Sequence, residues 1–302
     1  MFYPSFMPWL SLFLLLSCLI TAGQTQSGTN RDGAVSQGDL SRARTELEAQ
    51  HAADPTNLKI AIQLANIYIR MQRHAEAVDL LMPLEPGHET NMDLEYSLAY
   101  ALIQSGKEAE GIVRMENVAR TTRSANAWTI AGGARLHRNE LAEARSDLDS
   151  ALALNPSLPG LYSLAAQVRH AQGDAREAVP LFQAALRADP RDFEANLHLG
   201  IYLLEQGDYE SARPLLQLAE QLDPASPLAR LKLAKLNEMT GNDAEAQAVF
   251  EQLEESNPEW LDPHIELARM YYKQHRIADS QRERNLIEQI EAREQKSGPS
   301  KQ

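Results

Sequence analysis

Three histidines, His137, His170 and His198, fall at nearly equivalent places in successive helical stretches. Imidazole is a common ligand for zinc-like ions, so a metal site is the first chemistry they suggest. They stand at different helical levels, however, and no carboxylate accompanies them at a matching spacing. A metal-dependent enzyme or metal-binding protein using His137/His170/His198 is therefore the alternative reading, and neither a metal nor any other cofactor is expected. Gly132-Gly133 could be a phosphate loop, but the pair lies inside a helical run at a place of close packing. Trp128, Phe182 and Phe250 have ring faces that could carry a ligand, yet they recur with the spacing of a packed core. Glu251, Glu254 and Glu255 read as the solvated face of a helix, without the loop of oxygen ligands that calcium needs. No Walker-type glycine loop, Gly-x-Ser-x-Gly elbow or His-Glu-x-x-His pair occurs. The only cysteine, Cys18, precedes the helical region, which excludes a thiolate nucleophile, an internal disulfide and a cysteine metal site there. No catalytic residue is assigned, and no enzyme is expected.

The elements carrying these residues repeat. Gly173-Asp174, Gly207-Asp208 and Gly241-Asn242 are each followed by Ala178, Ala212 and Ala246, at intervals of 34 residues. A large apolar residue comes four later (Phe182, Leu216, Phe250), then Ala185, Ala219 or Leu253, then Asp189-Pro190, Asp223-Pro224 or Asn257-Pro258. Upstream, Ala165-Ala166, Leu199-Gly200 and Leu233-Ala234 supply small residues on a preceding helix. Glycine can end that helix in the left-handed conformation, Asp or Asn can cap the next, and proline stops the second helix. The unit is a helical hairpin, which exposes an apolar face unless neighbours stack on it.

This pattern resembles the tetratricopeptide repeat, with unit starts at Leu58, Met92, Ala125, Pro159, Phe193, Pro227 and Leu261. Trp128, Gly132, Ala144, Leu148, Ala151 and Pro156 make the third unit the closest match. The resemblance implies an all-α α-solenoid of stacked antiparallel helical hairpins, coiled as a right-handed superhelix with the first helices lining a concave groove. The array is expected over residues 38–295. It opens on a half repeat at 38–57 carrying Gly38-Asp39, Ala43, Leu47 and Asp54-Pro55, and closes on a capping helix reaching about Arg293. Residues 296–302 read as a disordered tail. Pro83 and the replacement of the Gly-Asp turn by Arg73-His74 predict a kink or a short helix in the first full unit. In the capping helix Ser280 and Arg284 stand where alanine and a large apolar residue are usual.

The bulk numbers agree with a folded soluble array, since 43% of the 302 residues are hydrophobic and 24% charged. A formal charge of -13, from Asp+Glu 42 against Lys+Arg 29, disfavours nucleic acid and anionic lipid as partners. The first 23 residues carry no charged side chain and are apolar over most of 6–20, which predicts a signal peptide over 1–23 cut near Ala22 or Gly23. An uncleaved anchor, or lipid on Cys18 through Leu15-Leu16-Ser17-Cys18, would instead make a membrane-anchored assembly subunit. Residues 24–37 read as a flexible linker. The expectation is a monomeric, periplasmic or secreted scaffold that binds one or more proteins or peptide segments, touching a membrane only through its N-terminus.

The resemblance also implies a binding surface along the groove-facing places of each unit. Those places hold Lys59, Arg70, Lys232, Lys235, Arg269 and Lys273 against Asp93, Glu194, Glu205, Glu238, Asp262 and Glu266. The expected site has an apolar middle of Leu197, Ile201, Leu204, Leu228 and Leu231. A basic end follows at Lys232, Lys235, Arg269 and Lys273, and Asn66, Tyr96 and Tyr100 supply hydrogen bonds and stacking near the other end. A partner segment with an apolar stretch and an acidic end would suit it.

Overall fold

A computed structural model describes residues 37–297, and among these it shows fifteen α-helices, one short 3-10 turn and no strand. The expected signal peptide, most of the expected linker, Cys18 and residues 298–302 lie outside the described residues. The chain divides into two compact units, 37–181 and 182–297.

The first unit holds α1 (Gln37–Ala53), α2 (Leu58–Arg70), α3 (His74–Leu81), α4 (Met92–Gln104), α5 (Glu108–Thr122), α6 (Ala125–His137), α7 (Leu141–Leu154), α8 (Leu161–Ala171) and the start of α9 (Ala175–Ala188). The second holds the rest of α9, then α10 (Phe193–Glu205), α11 (Tyr209–Leu222), α12 (Pro227–Met239), α13 (Asp243–Ser256), α14 (Leu261–Lys273) and α15 (Ile277–Ser297). Helices pair as α2 with α3, α4 with α5, α6 with α7, α10 with α11, α12 with α13 and α14 with α15, and within each unit successive pairs stack. This is an all-α solenoid of hairpins.

The turns show why the pattern folds this way. At each hairpin bend a backbone N–H reaches back five residues, as from Asp174 to Arg169 O, Asp208 to Leu203 O and Asn242 to Asn237 O, at 2.8–2.9 Å. That closure requires a left-handed residue just before the donor. Gly106, Gly173, Gly207 and Gly241 supply it, and Gln72, Asn139 and His275 take the same positive φ without being glycine. The residue replacing glycine in the first full unit is thus Gln72, one place before Arg73-His74. Asp174, Asp208 and Asp192 cap the following helices by accepting from Glu177, Ser211 and Ala195 backbone N–H groups.

Two local departures have plain causes. The fourth unit's helix begins at Leu161, two residues past the expected start at Pro159, because Gly160 enters it left-handed, at φ 72°. Helix α3 is only 8 residues long, and Pro83 sits in the 3-10 turn Met82–Leu84 that follows it.

Small residues set the spacing within hairpins. A Cβ on Gly132 would stand 2.7 Å from Leu148 Cγ, and one on Gly200 would stand 2.8 Å from Leu216 Cγ. Gly111 on α5 is as close to α4, where a Cβ would stand 2.7 Å from Ala99 O, so all three glycines let paired helices lie against each other. Ala77, Ala144, Ala178, Ala212 and Ala246 are buried at the matching place of their second helices, Gly111 takes that place in α5 and Ser280 in α15. Its hydroxyl donates to Ala268 O at 2.8 Å, so the polar substitute is satisfied inside the hairpin. Helix α15 continues through Ser297, past the expected end at Arg293.

A candidate partner-binding face

The expected site residues fall in both units, Asn66, Tyr96 and Tyr100 in the first and the other nine in the second. In the first unit, α2 and α4 are joined where Ser97 Oγ donates to Asn66 Oδ1 at 3.1 Å. Tyr100 is buried with its ring edge-on to His74 at 6.4 Å, and Tyr96 packs half-buried on the same core. Burial pushes both phenols up to about 12 and holds the His74 imidazole below its ordinary range. Tyr100 and Asn66 are thus engaged in holding their own helices together.

In the second unit the apolar middle is core. Leu197, Ile201 and Leu204 on α10 are buried in one cluster with Leu216, Ala219 and Leu236. Leu231 on α12 is buried in the next cluster with Phe250 and Leu267, and half-buried Leu228 bridges the two. Leu197, Ile201, Leu204 and Leu231 are covered by neighbouring helices and only Leu228 stays half-buried, which corrects the expectation that these five form the apolar middle of the groove. A first helix in a stack meets its own partner helix and the following hairpin, so little of its apolar face remains.

The basic end is paired with the acidic residues expected on the same face. Lys235 on α12 donates to Glu266 Oε1 at 2.6 Å, and Lys273 on α14 donates to Glu238 Oε1 at 2.8 Å. Arg269 donates to both Glu238 and Glu266. Each carboxylate has two cations, and both glutamates are buried, whereas the side chains of Lys235, Arg269 and Lys273 are 35%, 37% and 57% exposed. The ladder carries three positive charges over two negative ones and clips α12 to α14. Lys232 faces Asp262, whose carboxyl burial still holds above the usual range.

The histidines of the metal alternative have separate neighbours within their own units. His137 Nδ1 lies 3.1 Å from Glu108 Oε1, in the first unit. His198 in the second lies 3.4 Å from Glu194 and stacks on Phe182 at 5.3 Å between centroids. His170 is exposed on α8. Gly132 and Phe250 are packing residues, and Phe182 is buried. The acidic run of α13 is less solvated than its sequence suggests, because Glu251 accepts from the Tyr271 hydroxyl at 2.9 Å and Glu254 turns toward His264. Neither partner is visible in a linear reading, since both lie on the next helix.

Family models for the tetratricopeptide repeat match residues 34–88, 164–227 and 203–265. The chain is a tetratricopeptide repeat protein. No curated protein sequence matches it. Among solved structures it is similar to the pilF protein of Pseudomonas aeruginosa, with TM-score 0.63 and 18% identity over 75% of this chain and 99% of that one. A tetratricopeptide repeat protein from Parabacteroides merdae aligns with TM-score 0.56 and 17% identity, over 72% of this chain and 87% of that one. Yeast Tom70 aligns at 0.50 and 17%, over 84% of this chain and 55% of Tom70. At such identities the likeness is one of fold. Tetratricopeptide repeats generally serve as protein–protein interaction scaffolds, and this repeat array has the same helical architecture.

Proposed function

We propose that the chain is an exported, non-enzymatic scaffold that acts as a single copy and holds an acidic segment of a partner protein on the face of α12 and α14. The observation supporting this is the ladder in which Lys235, Arg269 and Lys273 stand partly exposed over buried Glu238 and Glu266. Side chains already fixed by ion pairs lose less freedom when a ligand arrives. A local excess of one positive charge, on a chain of formal charge -13, directs acidic groups to this place. Export is supported by the uncharged apolar residues 1–23.

The ladder decides how the face is tested. Exchanging all its cations for Glu would leave Glu238 and Glu266 buried among like charges and would unfold the hairpins. The variant of choice is Lys232→Gln with Lys273→Gln, which leaves Arg269 and Lys235 to neutralise the buried pair. With helicity and melting temperature matched to the parent, the proteins co-purified by each are compared. A partner retained by the parent, released by salt and lost by the variant is expected. An identical set would overturn this face. The intact mass of the chain from its host should begin near Gln24, and retention of Met1 would overturn the cleaved-export reading.

A further inference from the structure

Helices α13, α14 and α15 bring Glu254, His264 and Glu283 together, with one potential ligand atom from each lying within 4.8 Å of the others. His264 and Glu283 are each only 2% exposed, while the Glu254 side chain is 28% exposed and leaves a path from solvent. His264 Nε2 lies 3.0 Å from Pro258 O, and a carbonyl only accepts, so Nε2 carries a hydrogen and donates it. Asn196 shows that this is a structural duty of the position: it stands two units earlier in the same register, and its Nδ2 donates to Pro190 O at 3.0 Å. An asparagine would suffice for that bond. What histidine adds is Nδ1, directed between Glu283 Oε2 at 2.9 Å and Glu254 Oε1 at 3.8 Å.

With Nε2 protonated, a neutral ring turns its Nδ1 lone pair toward two carboxylates, an arrangement that repels. Arg282 approaches the far oxygen of Glu283 at 3.5 Å and is largely exposed, so it offsets little of the charge. A second proton on the ring would neutralise one carboxylate, whereas a divalent cation would neutralise both. We propose that Glu254, His264 and Glu283 form a binding site for a borderline divalent cation of the Zn(II) class, which ties α15 to the last two helices of the array. Zinc takes imidazole nitrogen and carboxylate oxygen at about 2.0–2.2 Å, which sets ligands about 3.3 Å apart, between the two separations here. The Pro258 carbonyl orients the ring from behind, as outer hydrogen bonds do for histidine ligands. A water would complete four-coordination on the side of Glu254.

The test uses the full chain without an affinity tag, stripped with a chelator and titrated with ZnCl2. One equivalent should bind saturably and raise the melting temperature, and Co(II) should give visible absorption of a four- or five-coordinate ion. MgCl2, whose ion prefers all-oxygen sites, should do neither. His264→Asn keeps the Pro258 bond in the manner of Asn196 and should abolish the zinc shift. Glu254→Gln, at the exposed edge, should weaken binding at least about tenfold through loss of one ligand. A parent that binds no zinc would overturn the proposal. Equal binding by parent and His264→Asn would overturn it as well.

Discussion

Gly132 and Gly133 are adjacent yet meet different surroundings, and substitution should separate them. A Cβ on Gly132 would press on Leu148 Cγ at 2.7 Å and Ala144 O at 3.3 Å, whereas one on Gly133 meets only Leu164 Cδ2 at 3.4 Å. In urea titrations Gly132→Ala should therefore cost about 1–3 kcal/mol by forcing the helices apart. Gly133→Ala should gain up to about 1 kcal/mol from helix propensity. Asp147 on α7 offers a pH signature. It is buried, and desolvation pushes its carboxyl up to about 7 despite Arg135 on α6 and Arg120 on α5, with Glu116 and Glu143 adding to the rise. The unfolded value is about 3.9, so between about pH 4 and 7 the folded chain holds the extra proton. Stability from this group is full at low pH and is lost as pH rises through about 7. Melting temperatures between about pH 5.5 and 8 should fall in the parent, and the fall should be smaller in Asp147→Asn. An equal fall in both would place the titration elsewhere.

The hairpin turn is a distinct level of design, because one left-handed residue recurs whether or not glycine is there. Gln72 and His275 hold φ of 62° and 61°. Replacing either by glycine should stabilise the chain by about 1 kcal/mol, read as a shift in denaturation midpoint. Asn139→Gly should gain less, since asparagine tolerates this conformation. On the facing helix, Ala212→Arg should cost several kcal/mol, about 3 or more, because Ala212 is fully buried and an unpaired guanidinium would be forced between helices. These element-level features were largely legible, because glycine, aspartate and proline act through backbone chemistry that needs no distant partner. The site was less legible. Glu238 and Glu266 were expected on the same face as Lys235, Arg269 and Lys273, but their pairing across α12 and α14 was not, and Leu197, Ile201 and Leu204 looked available until neighbouring helices were seen to cover them. His264 gave no signal at all, since its partners come from residues 254, 258 and 283 with no regular spacing.

At the scale of the chain, none of the described helices is long and apolar enough to cross a membrane. The excess negative charge together with the α12–α14 ladder predicts that partner binding weakens as salt rises, with a steeper dependence for the parent than for Lys232→Gln/Lys273→Gln. Binding measured across a salt series checks this, and parallel slopes would show that those lysines are bystanders. The turns at Gly173, Gly207 and Gly241 recur at intervals of 34 residues with the same backbone closure. The connections between hairpins recur at the same interval, so a chain cut at one of them and rejoined at the next would find matching ends. Ser226 joined directly to Leu261 would lead from α11 into α14 through the same kind of connection that now leads into α12. In the gene, unequal exchange between neighbouring copies could shorten or lengthen the coding sequence by one hairpin at a time, altering how many helices a lineage inherits while leaving every junction intact.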